Sequence, residues 1–255
     1  TKKTVYYFYV IVESQMIIAI IPARKNSKRI KNKNIKKFFK KPIISYSIEA
    51  AKKSKIFDRI IVSTDSKKIA RISKMYGAET PFVRPKELSD DFTGSNDVIK
   101  HAINFLRKNN QKISFVCCIY PTAPLITADL LKKGLKLLKK NKTNFCFVAT
   151  KFEAPIERRI IVRKNLKTLL SDKKYLRRRT QDLKTYYYDA GQFYWAQPDS
   201  FIKYDDILET SASALVVSPN KVSDINYIDD WKITEAKFKM NKKWTFILEY
   251  HWMLG

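Results

Sequence analysis

Six cations fall close together in the segment IPARKNSKRIKNKN, Ile21–Asn34, and Arg24, Lys28, Arg29 and Lys33 are the four offered here as ligands. Ser27 and Asn34 add hydrogen-bonding side chains. A guanidinium can grip phosphate through two parallel hydrogen bonds, and an ammonium supplies a compact charge. The chemistry such a set can do is to clamp a triphosphate. The segment has no glycine, so it is not a glycine-rich phosphate loop. The competing reading is a solvated loop in a basic protein, because 51 Lys+Arg against 24 Asp+Glu leave a net charge of +27. What favours chemistry is position, since the segment follows a run that reads as a buried strand.

Other reactive side chains are sparse. Cys117, Cys118 and Cys146 are too few for a disulfide framework, and none has the CxxC spacing that would suggest a structural zinc site. Three thiols fit a reducing compartment, and the cytoplasm is the expected location. Cys117 and Cys118 read as core residues of a strand. His101 sits within a helical pattern and His251 in the tail, and two such histidines do not make a metal or acid/base site. Asp65, after the second strand, either faces the site or caps the helix that follows it, and the cap is the preferred reading.

The elements that must position the basic segment are legible in the apolar pattern. Met16–Pro22 (MIIAIIP) is a continuous apolar run, as expected of a strand buried on both faces of a parallel sheet. Arg59–Thr64, Ile113–Tyr120 and Phe145–Thr150 read as further strands, with a short one near Pro81–Arg84. Helices are expected over Pro42–Lys55, Ser66–Tyr76 (stopped by Gly77), Ser95–Lys108 and Thr127–Lys140 (capped by Thr127). Strands alternating with helices of this length predict an open, mainly parallel α/β sheet, with ligands at the carboxyl ends of its strands. The loops after Pro22, Thr64 and Tyr120 then share one mouth. Residues 151–190 break the pattern and read as an excursion. Gln192–Ala196 and Ala214–Val217 return to strand character, and Asp229–Met240 reads as a closing helix.

The ends are expected to stand apart. Lys2 and Lys3 precede a short apolar run that Glu13, Ser14 and Gln15 close without a cleavage site. Residues 1–15 are therefore read as an extension, 16–240 as the catalytic domain and 241–255 as a tail. No stretch reaches the roughly 18 apolar residues of a membrane span.

Several segments together resemble the CMP-sialic acid synthetase family of cytidylyltransferases. They are IPARKNSKRIKNKN, VSTDSKKIA (Val62–Ala70), RPKELSDD (Arg84–Asp91) and YPTAPLIT (Tyr120–Thr127). RTQDLKTYYYDAGQFYW (Arg179–Trp195) looks like the branch that activates pseudaminic acid. The resemblance spans about 16–240. It implies a Rossmann-like three-layer α/β/α nucleotidyltransferase fold. It also implies transfer of CMP from CTP to a nine-carbon 2-keto sugar acid, with release of pyrophosphate. Arg24, Lys28 and Lys33 would be the catalytic cations. Ala23, Arg24, Ser27, Asn34, Arg84 and Ser95 would bind nucleotide, with Ser95 also read as a helix N-cap. Tyr120, Arg179, Gln181, Asp189, Gln192 and Tyr194 would bind the sugar. Tyr186, Tyr187 and Tyr188 read as packing residues, and the run Arg177–Arg179 reads equally as a solvated or interface stretch.

The resemblance also implies a homodimer built through 151–190 and a Mg²⁺ ion held by a D-x-D pair. Here the pair is Asp224 and Asn226, so one carboxylate is replaced by an amide. Asp229 or Asp230 could compensate, or the protein could be an inactive relative. Asp224 could also only cap a turn. A legionaminate or N-acetylneuraminate enzyme is the nearest alternative. A nucleic-acid-binding protein is the rival from another class and would account for the charge. It does not account for one basic loop after a buried strand, and the lysines are spread over nearly every helix.

Overall fold

The computed structural model describes residues 15–170, 173–175 and 177–253, with side chains up to 242. The expected extension at 1–14 lies outside them. Strand β1 is Met16–Pro22. Ile18, Ala19, Ile20 and Ile21 are all fully buried, which is why the run does not alternate. Ala19 and Ile21 face one core layer, while Ile18 and Ile20 face the other. The two-residue strands β2 (Lys37–Phe38) and β3 (Lys41–Pro42) form a small hairpin. Helix α1 (Ile44–Ser54) starts two residues later than its expected Pro42 start, because Pro42 pairs with Lys37 instead.

Strand β4 (Arg59–Ser63) and helix α2 (Lys67–Met75) follow. Ser66 caps α2 by accepting the Ile69 N–H at 3.3 Å, and Gly77 follows it at φ +94°. The strand expected near Pro81–Arg84 does not form. Glu79 alone bridges to β4, and Pro81 and Pro85 bring no N–H to extend the ladder. Helix α3 (Ser95–Lys108), strand β5 (Ile113–Ile119), helix α4 (Ala128–Asn141) and strand β6 (Phe145–Lys151) stand where the pattern put them.

The excursion carries an exposed hairpin, β7 (Ile160–Val162) with β8 (Thr168–Leu170). Strand β9 (Tyr187–Ala196) is longer than expected. Helix α5 (Pro198–Lys203), strand β10 (Ala212–Val216) and helix α6 (Ile228–Met253) complete the chain. The expected tail at 241–253 continues α6 without a break.

The six-stranded sheet runs β10-β6-β9-β5-β1-β4. All pairs are parallel except those of β9, which is antiparallel to both β5 and β6. Core residues of α1, α2 and α4 pack on one face and those of α3 and α5 on the other, giving three layers. A third cluster joins Ile30 of the basic segment and Phe38 of β2 to Ile225 and Trp231. Phe38 meets Trp231 and Phe238 edge-on, at ring distances of 5.5 and 5.4 Å. This cluster fixes the basic loop against the segment that carries Asp224. Among the described residues, no helix is long and apolar enough to cross a membrane.

Candidate active site

The basic segment leaves β1 at the carboxyl edge of the sheet. Ala23 is fully buried and its N–H bonds the Ser63 carbonyl at 2.9 Å, so the loop starts pinned to β4. Asp65 accepts the Lys25 N–H at 2.7 Å. It therefore holds the basic loop, and the capping role expected for it belongs to Ser66. Asn34, buried, donates to the Arg24 carbonyl at 2.9 Å and closes the loop on itself. Ser27 is half-buried in the same turn.

Arg24 and Lys28 converge on one anion. Asp91 accepts Arg24 at 2.8 Å and also pairs with Lys28, while Arg24 bonds the Asp90 carbonyl. The hydrogen bond from Lys28 is the main cause that holds the Asp91 carboxyl below its usual range. Asp91 lies in the RPKELSDD motif, but the motif alone gave no sign of this pairing. Two cations that seat a carboxylate also have the charge and donors to hold a phosphate. Asp91→Asn is expected to lower the KM for a triphosphate substrate severalfold at low salt, with the gain shrinking as ionic strength rises. A raised KM would show instead that Asp91 prearranges the two cations.

Arg84, expected to contact nucleotide, is held here by its own chain. Its guanidinium is buried on the Ser63 hydroxyl and carbonyl and reaches the Leu88 carbonyl. Burial lowers its pKa to about 10. It anchors the loop that ends at Asp91.

Lys33 reaches the opposite wall. Its ammonium donates to the Ile225 carbonyl at 2.7 Å. Burial lowers its pKa, Asp224 opposes that, and Arg29 and Arg24 add to it. Ile225 is fully buried beneath Phe38 and Trp231, so it presents exposed Asp224 and half-buried Asn226 on either side. Asp224 Oδ2 accepts the Asn226 amide at 2.6 Å. Asp230 is committed elsewhere, accepting the Asn226 and Tyr227 N–H groups at 2.8 and 2.7 Å. Asp229 pairs with Lys232. Neither supplies the carboxylate that Asn226 lacks.

A cavity of about 300 Å³ opens beside the N-terminus of α3, lined by Ser95, Tyr120, Asp189 and Tyr194 together with Phe201 and the 204–208 loop. Ser95 is the first residue of α3 and makes no capping bond. Its hydroxyl instead faces the Tyr120 hydroxyl at 3.4 Å. Tyr120 and Tyr194 rings lie 5.4 Å apart, and the Tyr194 hydroxyl donates to Asp189 at 2.7 Å. Burial raises the pKa of all three of Tyr120, Tyr194 and Asp189. Nearby Asp224 and Asp206 add to the rise at Asp189, while hydrogen bonds from Gly191 and Tyr194 oppose it.

Not every expected residue joins this group. Gln192 is buried and spends its amide N–H groups on backbone carbonyls. Arg179 and Gln181 are exposed within the excursion, with Arg179 paired to Asp182 at 2.9 Å, and neither lines the cavity. The tyrosines expected to pack, Tyr186, Tyr187 and Tyr188, are 39%, 50% and 44% exposed. Cys117 and Cys118 are core residues, as read, with raised pKa values caused by burial. His101 packs edge-on against Phe82 at 4.9 Å, away from the cavity lining. The His251 side chain lies outside the described ones.

A cationic loop after the first strand of a Rossmann-like sheet, facing the Asp224 loop across its carboxyl edge, suits a nucleotidyltransferase. Comparison with known proteins narrows the class. The cytidylyltransferase family matches residues 18–212. A pseudaminic acid cytidylyltransferase of Campylobacter jejuni is 42% identical over 229 residues, covering 90% of this chain and 99% of the relative. A CMP-N,N'-diacetyllegionaminic acid synthase of Legionella pneumophila is 30% identical over 237 residues, covering 89% of this chain and 98% of the relative. A solved structure of CMP:2-keto-3-deoxy-manno-octonic acid synthetase complexed with CTP shares the fold. Its TM-score is 0.65 at 14% identity, and the match covers 89% of this chain and 100% of that one. The chain belongs to the cytidylyltransferase family and is a CTP-dependent nucleotidyltransferase.

Enzymes of this kind generally use a divalent metal. Among the described residues, no group of three His, Cys, Asp or Glu side chains forms a metal cage. The donors present are Asp224 and the Asn226 side-chain oxygen, with Asp189 nearby. One carboxylate and an amide oxygen suit a hard ion whose other ligands are phosphate oxygens and water. The residues fit a metal that arrives with the nucleotide.

Proposed function

We propose that this protein transfers CMP from CTP to the anomeric hydroxyl of a nonulosonic acid, with pseudaminic acid as the substrate, and that Mg²⁺ is its metal. The observation that carries the reading is the near full-length match to the Campylobacter jejuni enzyme, at 42% identity. The cavity beside α3 supports it, because four residues expected to contact nucleotide or sugar line one space there.

In the reaction, the anomeric oxygen forms a bond to the α-phosphorus of CTP. The bond from that phosphorus to the bridging oxygen breaks, pyrophosphate leaves with the electron pair, and the hydroxyl proton is released. Arg24 and Lys28 hold the triphosphate after displacing Asp91. Lys33 stabilises the charge that develops on the departing pyrophosphate. Asn34 fixes the shape of the loop that carries these cations. Asp224 and Asn226 would hold Mg²⁺, which supplies charge neutralisation on the phosphates. Tyr120, Tyr194 and Asp189 orient the sugar, so that catalysis is chiefly positioning and charge compensation.

The homodimer belongs to the same proposal. Ile160, Ile161, Val162, Leu166 and Leu169 are exposed on the β7–β8 hairpin, an apolar surface for a second copy to cover. The free, buried thiols and the need for CTP fit the cytoplasm.

The test is pyrophosphate release from CTP and Mg²⁺ with pseudaminic, legionaminic and N-acetylneuraminic acids offered in parallel. Release with pseudaminic acid alone is expected. Preference for either other acid would move the assignment within the family, and silence with all three would overturn it.

A further inference from the structure

The D-A-G-Q stretch of β9 has no chemistry that the proposed reaction uses beyond Asp189, yet it departs from the regular ladder. Against β6, Phe147 pairs with Tyr194 and Ala149 with Asp189, so two steps along β6 answer five along β9. The extra residues form a bulge, a device that re-aims side chains next to active sites. Gly191 sits in it at φ +59°, and its N–H is accepted by Asp189 at 2.9 Å. A Cβ at Gly191 would lie 3.6 Å from Asp224 Cγ and 3.8 Å from Asp224 Oδ1, so the acidic loop rests directly on this glycine.

Gln192 ties the bulge to both sides of the site. Its side-chain amide donates to Ala190, Gly191 and Ser223 carbonyls at 2.7, 3.2 and 3.1 Å. Ser223 is the residue before Asp224. The Gln192 backbone carbonyl accepts the Tyr120 N–H at 2.9 Å. Gln192 is only 2% exposed, and its side-chain oxygen has no partner. A flipped amide would set that oxygen against three carbonyls, so the donors fix the orientation.

We infer that Gln192 and Gly191 are positioning residues that seat the Asp224 loop against Tyr120 and Asp189, and so set how the metal–nucleotide complex is received. This rests on the reading that Asp224 meets that metal. Gln192 acts through the Ser223 carbonyl, and Gly191 through the left-handed backbone at φ +59° that carries the strand past Asp224. An amide is required because both of its N–H groups are spent on carbonyls, whereas methionine fills the volume without donating.

The test is binding, without sugar acid. Mn²⁺ affinity of the enzyme with CTP is read by electron paramagnetic resonance, and metal-free CTP affinity by calorimetry. Gln192→Met is expected to weaken Mn²⁺ binding about 10- to 100-fold, as loss of a group that orients a metal ligand does. Metal-free CTP affinity should change less than about threefold, since the ligands that hold the bare nucleotide are not displaced. Gly191→Ala should behave alike where it folds, and Gln192→Met keeps the test decisive where it does not. An equal fall in both affinities would show a merely structural role and overturn the inference. Unchanged Mn²⁺ binding in Gln192→Met, with Asp224→Asn having lost it, would overturn this inference alone. Unchanged binding in Asp224→Asn would overturn the metal reading and this inference with it.

Discussion

Lys33→Ala is expected to lower kcat on the order of 100- to 1000-fold while leaving the fold intact, the range seen when a fixed group that stabilises developing charge is removed. The argument begins with where the ammonium is held. It lies 2.7 Å from the Ile225 carbonyl, inside the gap between the basic loop and the acidic loop. Burial lowers its pKa even though Asp224 raises it, so the charge is kept in a partly dry setting where it acts strongly. Lys28 is the contrast, because its side chain is 78% exposed and pairs with Asp91. Lys28→Ala should therefore raise the KM for CTP more than it lowers kcat. The measurement is steady-state pyrophosphate release for both variants, with circular dichroism as the check on folding. A Lys33→Ala enzyme with near wild-type kcat would remove Lys33 from the proposed reaction.

What could be read in advance follows how local each signal is. Helix α3 is legible because Val98, Ile99, Ala102, Ile103 and Leu106 repeat on one face and are all buried. Strand β1 is legible because a run buried on both faces has no polar position to confuse it. The direction of β9 is not legible, since antiparallel pairing with β5 and β6 depends on partners about 40 to 80 residues away. Its first residues also fail to look like a strand, because Tyr187 and Tyr188 remain exposed.

The site divides in the same way. Arg24, Lys28 and Lys33 announce themselves by charge density after a strand. Asp91 does not, because its role comes from ion pairs with Arg24 and Lys28 of a distant loop, and Asp65 offers two readings that only its contact with Lys25, 40 residues away, separates. Arg84 and Gln192 were legible as members of motifs but not as anchors, since burial and backbone carbonyl partners leave no mark in composition. Gly191 carries the one local sign of its role, a glycine inside a strand pattern, which marks a bulge or a close approach.

Trp195→Ala is expected to cost about 3–5 kcal/mol of stability, the usual range for deleting a large buried aromatic. The indole is fully buried in β9, at the centre of the sheet. It stacks on Phe57 with ring centroids 5.2 Å apart and an interplanar angle of 5°. Its Nε1–H donates to the Leu131 carbonyl at 3.1 Å, in helix α4. Gly134 in the same helix shows how close that contact is, because a Cβ there would fall 2.8 Å from the Trp195 ring. Alanine would leave a cavity, drop the stacking partner and orphan a carbonyl, three losses at one position. Since a domain is commonly stable by only about 5–15 kcal/mol, the variant should unfold at a much lower urea concentration. Circular dichroism at rising urea reads the midpoint, and a shift worth under about 1 kcal/mol would refute the packing argument. The same strand carries Asp189, Gly191, Gln192 and Tyr194, so its loosening should be felt in the site as well. CTP protection against urea should weaken alongside the midpoint, because a ligand stabilises only the folded form whose site it can still find intact.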